Sequence, residues 1–130
     1  MCALIKFSHK GDLKKTDRFL RRIKSRDFYQ LLSSYGEKGV SLLSESTPRR
    51  TGATAGSWSY AVIMEDRTVG IEWYNSNLAN DGRTPVAILI QMGHGTKNGG
   101  YVQPVDYINP CMQPLFDEIT KAIDRAVKNL

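Results

Sequence analysis

Apolar and polar positions along the chain fall into blocks of different period, and each block predicts an element. Leu4 to Phe7 is a short apolar run closed by Lys10 and Gly11, the pattern of a strand. From Asp12, which offers an N-cap, Leu13, Phe19, Leu20 and Ile23 recur at helical offsets with charged residues on the other faces, predicting a first helix. A second helix begins near Asp27 and carries a cleaner stripe of Phe28, Leu31, Leu32, Tyr35, Val40, Leu42 and Leu43. Gly36 and Gly39 interrupt that stripe, each costing a helix about 1 kcal/mol relative to alanine. Two readings stay open: another backbone approaches closely at that face, or the segment bends into two shorter helices.

Pro48 cannot continue a helix and biases Thr47 toward extended geometry, so Ser46 to Gly56 reads as a loop. Ser57 to Met64 and Val69 to Tyr74 then read as strands of an antiparallel hairpin, joined through the polar turn from Glu65 to Thr68. In the second of these, Val69, Ile71 and Trp73 alternate with Gly70, Glu72 and Tyr74, the period of a half-buried sheet with one face toward the helices. Trp58 and Trp73 are expected in the core. Asn75 to Thr84 is polar, contains Asn80-Asp81-Gly82, and reads as a projecting loop. Val86 to Met92 follows Pro85 and is expected as a short helix, although seven residues are too few for periodicity to decide against a buried strand. Tyr101 to Val105 is expected as a short strand. Asn109 and Pro110 have the chemistry of an N-cap and a first helical residue. They precede the clearest stripe of the chain: Leu115, Ile119, Ala122, Ile123, Ala126, Val127 and Leu130. Pro114 removes a backbone donor there, and a kink is expected after the first turn. The elements combine into one α+β domain over residues 1–130. It has a small, mainly antiparallel sheet with two N-terminal helices and one C-terminal helix packed on one face.

Composition narrows the class. The chain has 130 residues, 41% hydrophobic and 24% charged, ordinary values for a soluble domain. No run approaches the roughly 18 apolar residues of a membrane span, and the N-terminus lacks the pattern of a secretory signal, so a cytoplasmic site of synthesis is expected. Cys2 and Cys111 form no disulfide framework, and packing is their expected role. With His9 and His94 they lack the close pairing of zinc ligands, so neither a metal nor a cofactor is expected. The net charge of +5 is concentrated at one end: residues 1–30 hold nine Lys or Arg against three Asp. Arg18, Arg21 and Arg22 are candidates to face DNA through counterion release, against the blander alternative of a solvated helix face.

Gly93-His94-Gly95-Thr96-Lys97-Asn98-Gly99-Gly100 invites a phosphate-loop reading but matches neither the P-loop nor the dinucleotide fingerprint. It is expected as a flexible loop whose glycines supply positive φ and whose side chains dock on a neighbour. His94 is a general-base type, and a small hydrolase using it with Asp106 is conceivable. No nucleophile at a strained turn accompanies them, so no catalytic residue is expected.

Three landmarks occur in order: Thr47-Pro48-Arg49-Arg50-Thr51-Gly52 ahead of Ser57-Trp58, then Gly93-His94-Gly95-Thr96, then Asp106-Tyr107-Ile108-Asn109-Pro110 opening the last helix. In this the chain resembles the tail-completion, or head-tail joining, proteins of long-tailed bacteriophages, over roughly Lys10 to Leu130. The resemblance implies a structural virion protein without enzymatic activity. Copies of it, six by expectation, form a ring at the neck that completes the tail tube and docks it to the head. It implies as partners the chain itself, the tail tube protein and a head-closure or connector protein, with nonspecific contact to double-stranded DNA in the channel and none with membranes. The candidate docking residues are Arg49, Arg50, Thr51 and Gly52 on one loop and Gly93, His94, Gly95, Thr96, Lys97, Gly99 and Gly100 on the other. A basic nucleic-acid-binding module is the alternative that the N-terminal charge suggests.

Overall fold

A computed structural model describes residues 4–10, 26–48, 52–65 and 68–128. Three strands, β1 (Ile5–Lys10), β2 (Trp58–Glu65) and β3 (Thr68–Asn75), form an antiparallel sheet in the order β1-β3-β2. The alternation along β3 explains its central place: Val69, Ile71 and Trp73 are fully buried on one face. Their partners on that face are Met64, Val62 and Tyr60 from β2 and Phe7 and Ile5 from β1. The opposite face mixes Ala61 and Ile63 of β2 with polar side chains. Lys6 Nζ stands 3.6 Å from Glu72 Oε1, and the Tyr74 hydroxyl donates to the same Glu72 carboxylate.

Two long helices cover the apolar face. Helix α1 (Arg26–Ser46) sets Phe28, Leu32 and Leu43 against the sheet, and the C-terminal helix, α3 (Ile108–Lys128), adds Met112, Leu115, Ile119 and Ile123. Phe116 of α3 lies with its ring centroid 5.6 Å from that of Phe7 and 6.0 Å from that of Trp73, tying helix to sheet through tilted aromatic contacts. The short helix α2 (Val86–Met92) lies between them in sequence, followed by a two-stranded hairpin of β4 (His94–Gly95) and β5 (Tyr101–Val102).

The helix arrangement differs from expectation. The helix predicted from Asp12 lies outside the described residues, and the described helices are one N-terminal, one short and central, and one C-terminal. Helix α1 is continuous through Gly36 and Gly39, because both glycines sit where sheet side chains press onto the helix. A Cβ at Gly39 would stand 2.5 Å from the Trp73 indole nitrogen, and one at Gly36 would collide with the Tyr60 ring. The close neighbour is thus a pair of aromatic rings rather than another backbone. The Trp73 indole also donates to the Gly36 carbonyl at 3.0 Å, a bond that needs the ring this close.

Two boundaries move at the C-terminal end. Helix α3 begins at Ile108, so Asn109 is inside the helix and Pro110 is its third residue, and the element runs as one helix through Pro114. Tyr101 to Val105 is paired only at Tyr101 and Val102.

Candidate docking site

The segment that leaves α1 is held by polar side chains buried beneath it. Thr47 Oγ1 donates to the Leu43 carbonyl at 2.5 Å and accepts the Trp58 indole N–H at 2.9 Å, which closes the helix and fixes the start of β2. Asn75, fully buried at the end of β3, donates to the Thr54 carbonyl at 2.8 Å and accepts the Asn77 amide at 3.0 Å. Asn77 donates in turn to Thr54 Oγ1 at 2.8 Å. A buried polar group left without a partner costs about 1–3 kcal/mol, so this closed set of bonds holds the loop on the end of the hairpin.

Gln91 performs the corresponding task for the second segment. Its Oε1 accepts the backbone N–H groups of Tyr107 and Ile108, each at 3.1 Å, and its Nε2 donates to Asp106 Oδ1 at 2.7 Å. A side chain from α2 therefore caps α3, which explains why that helix starts before Asn109. The Tyr107 hydroxyl donates to the Ala87 carbonyl at 2.9 Å, and burial pushes its pKa up to about 12. Between α2 and the hairpin, Gly93 takes φ 75°, where a Cβ would stand 2.7 Å from the Tyr101 hydroxyl and 2.8 Å from the Val102 carbonyl. Glycine is required there by both conformation and space.

The two segments meet around one cavity of about 530 Å³, a size typical of ligand and anchor pockets. Pro48, Gly52 and Thr54 come from the first segment, Val86 and Ile90 from α2, and His94, Val102 and Val105 from the hairpin and its exit. The lining is mainly apolar. His94 Nδ1 is buried and, among the described residues, has no hydrogen-bond partner. Around this end of the molecule Met92, Tyr101 and Val105 are 67%, 59% and 47% exposed, joined by Leu78 and Val102. Exposed apolar side chains gathered near a concave site characterise surfaces that bind another molecule.

Gly52, Gly93 and His94 of the candidate residues are thus brought to one place. Gly95, Thr96, Lys97, Gly99 and Gly100 form the exposed turn of the hairpin, closed by Thr96 N–H to the Gly100 carbonyl at 2.9 Å and by Gly100 N–H to Thr96 Oγ1 at 3.0 Å. This segment is a hydrogen-bonded hairpin, and its positive φ is confined to Gly93 and Gly99. Arg49, Arg50 and Thr51 lie outside the described residues, as do Arg18, Arg21 and Arg22. His94 and Asp106 do not form an orienting pair through Nδ1, since that nitrogen is unpartnered and Asp106 Oδ1 is taken by Gln91 and Asn109. Among the described residues no three His, Cys, Asp or Glu side chains group as metal ligands, and no helix is long and apolar enough to cross a membrane. The sequence reading missed Thr47, Thr54, Asn75 and Gln91, whose small polar side chains in loop-like surroundings give no local signal of burial.

No family model, curated protein or solved structure matches the chain.

Proposed function

We propose that the chain is a structural subunit of the bacteriophage neck, closing with further copies into a ring, six by the resemblance, that completes the tail tube and docks it to the head. In this role it works in the virion, partners the tail tube protein and a head-closure or connector protein, and catalyses no reaction. One observation carries the proposal furthest. Pro48 and Gly52 of the first landmark and His94 of the second, both of which carry the resemblance in sequence, line one mainly apolar cavity with exposed apolar side chains nearby. A catalytic site gathers titratable groups, whereas a docking site gathers apolar anchors and hydrogen-bonding loops. A ring also needs heterologous contacts, in which one patch meets a different patch on the next copy.

Complementation tests the proposal. Tails assembled without this chain are mixed with purified protein and heads, and the expected result is restored joining. A protein that leaves joining unrestored, and that light scattering finds as a stable two-fold dimer, contradicts the role.

A further inference from the structure

The turn of the β4–β5 hairpin holds the one asparagine–glycine pair of the chain, Asn98-Gly99. Asn98 is exposed, and its side chain makes no hydrogen bond among the described residues. A glycine after asparagine matters chemically, because no side chain beside its amide nitrogen obstructs an approach to the asparagine Cγ. The Gly99 N–H is donated to the Thr96 carbonyl at 3.2 Å, the long end of the N–H···O range. One long bond at an exposed turn opens readily by local fluctuation.

The other described asparagines each lack one of these conditions. Asn75 is buried, and its amide group donates to the Thr54 carbonyl at 2.8 Å. Asn77 donates to Thr54 Oγ1 and precedes Leu78. Asn109 donates to Asp106 Oδ1 and precedes Pro110, which has no N–H. Asn80 is exposed, but Asp81 follows it. The Thr84 hydroxyl, with the Thr84 and Arg83 N–H groups, holds the Asp81 carboxyl down at a pKa of about 2, so a fixed negative charge opposes an amide anion at the same residue. The same ionisation leaves the Asp81-Gly82 pair without a leaving group for cyclisation.

We propose that Asn98 is a modification site, at which the asparagine deamidates spontaneously to a mixture of aspartyl and isoaspartyl residues. The Gly99 nitrogen, on losing its proton, attacks Asn98 Cγ and closes a succinimide ring. The Cγ–Nδ2 bond breaks, and the leaving nitrogen takes up the proton and departs as ammonia. Water then adds to one of the two imide carbonyls. Opening at the Cγ–N bond gives the aspartyl product, and opening at the original peptide C–N bond gives the isoaspartyl product. Either one sets a negative charge beside Lys97, the only lysine, arginine or acid among residues 93–100. The isoaspartyl form also adds a methylene to the backbone of the turn that Thr96 closes. The chemistry stands by itself, whereas its consequence rests on the docking role proposed above: a hairpin tip changed in charge and length presents a different surface to a neighbour.

Peptide mass mapping of the purified full chain, aged in mildly alkaline buffer, tests the site. The mass gain of an amide NH2 replaced by OH should accumulate at Asn98 on the order of tenfold or more faster than at Asn75, Asn77, Asn80 or Asn109, since one bonded amide alone is worth roughly threefold to tenfold. An isoaspartate-specific methyltransferase should label the aged protein. Asn98→Gln should remove the gain at that position and most of the label, because the larger ring that glutamine needs closes more slowly. Thr96→Ala deletes the acceptor of the Gly100 N–H and should speed conversion roughly threefold to tenfold, circular dichroism melts confirming that the variant folds. An Asn98 amide that survives ageing, or conversion at Asn80 as fast as at Asn98, overturns the proposal. An unchanged rate in Thr96→Ala overturns the control assigned to the turn. For the consequence, aged protein and Asn98→Asp are compared with fresh wild type in the head-tail joining assay, and both should lose joining activity. Equal joining by all three refutes the effect on docking and leaves the chemistry standing, whereas fresh wild type that never joins heads to tails refutes the docking role alone.

Discussion

Gly39 and Thr47 show how single positions set the fold around the candidate site. An alanine at Gly39 gains about 1 kcal/mol of helix propensity, but its Cβ would press on the fully buried Trp73 indole, and overpacking of this kind costs about 1–3 kcal/mol. Since the indole is pinned to the Gly36 carbonyl, the steric term should win. Gly39→Ala is expected to lower stability by about 1 kcal/mol in urea unfolding, whereas Gly95→Ala, at an exposed position where a Cβ would make only an ordinary 3.8 Å contact with the Gly100 carbonyl, should change it by less than about 0.5 kcal/mol. Thr47→Val removes the acceptor of the buried Trp58 indole and should cost about 1–3 kcal/mol by the same measurement. Tyr107 adds a pH dependence. Its folded pKa of about 12 exceeds the ordinary value near 10, so its contribution is complete below pH 10 and declines as pH rises toward 12. Thermal melts between those pH values should show the decline, reduced in Tyr107→Phe. The alternation of Val69, Ile71 and Trp73 made their burial legible from sequence, as did the helical stripe of α3. The roles of Thr47 and Asn75 were not legible, because their partners are assembled by the hairpin and the loop together.

At the scale of elements, the site depends on one side chain joining α2 to α3. Gln91→Ala removes both acceptor contacts to the α3 N-terminus and the donor to Asp106, and by analogy with N-cap losses should cost about 1–2 kcal/mol. Hydrogen exchange should localise the effect, with faster exchange at the Tyr107 and Ile108 amides and little change in β3. The same contact explains the displaced start of α3: Asn109 and Pro110 have good N-terminal chemistry, but a cap supplied from a different element overrode the local signal. The continuous course of α1 has a comparable origin. Its glycines are explained by rings arriving from β2 and β3, which one-dimensional periodicity cannot register. Strands and helices with strong periodicity were placed within one to three residues, whereas the pairing of His94–Gly95 with Tyr101–Val102 depends on a turn closed by Thr96 and was expected only as a loop and a strand.

At the scale of the molecule, the mixture of helices with a small antiparallel sheet was legible from the alternation of strand and helix periods. The cavity was not legible, since its walls come from five separate stretches of chain between Pro48 and Val105. Its lining places apolar anchors beside His94 without an oriented carboxylate on Nδ1. His94→Ala and Asp106→Ala are therefore expected to alter assembly and to remove no hydrolytic activity. Ester or nucleotide hydrolysis by the wild type, lost on His94→Ala, would refute that expectation. The central claim is that copies of the chain form a closed ring on the tail. Electron microscopy of purified protein mixed with tail tubes tests it most directly. A single ring capping one end of each tube, six-fold in averaged end views, is the predicted result, and bare tube ends beside free two-fold dimers would contradict it.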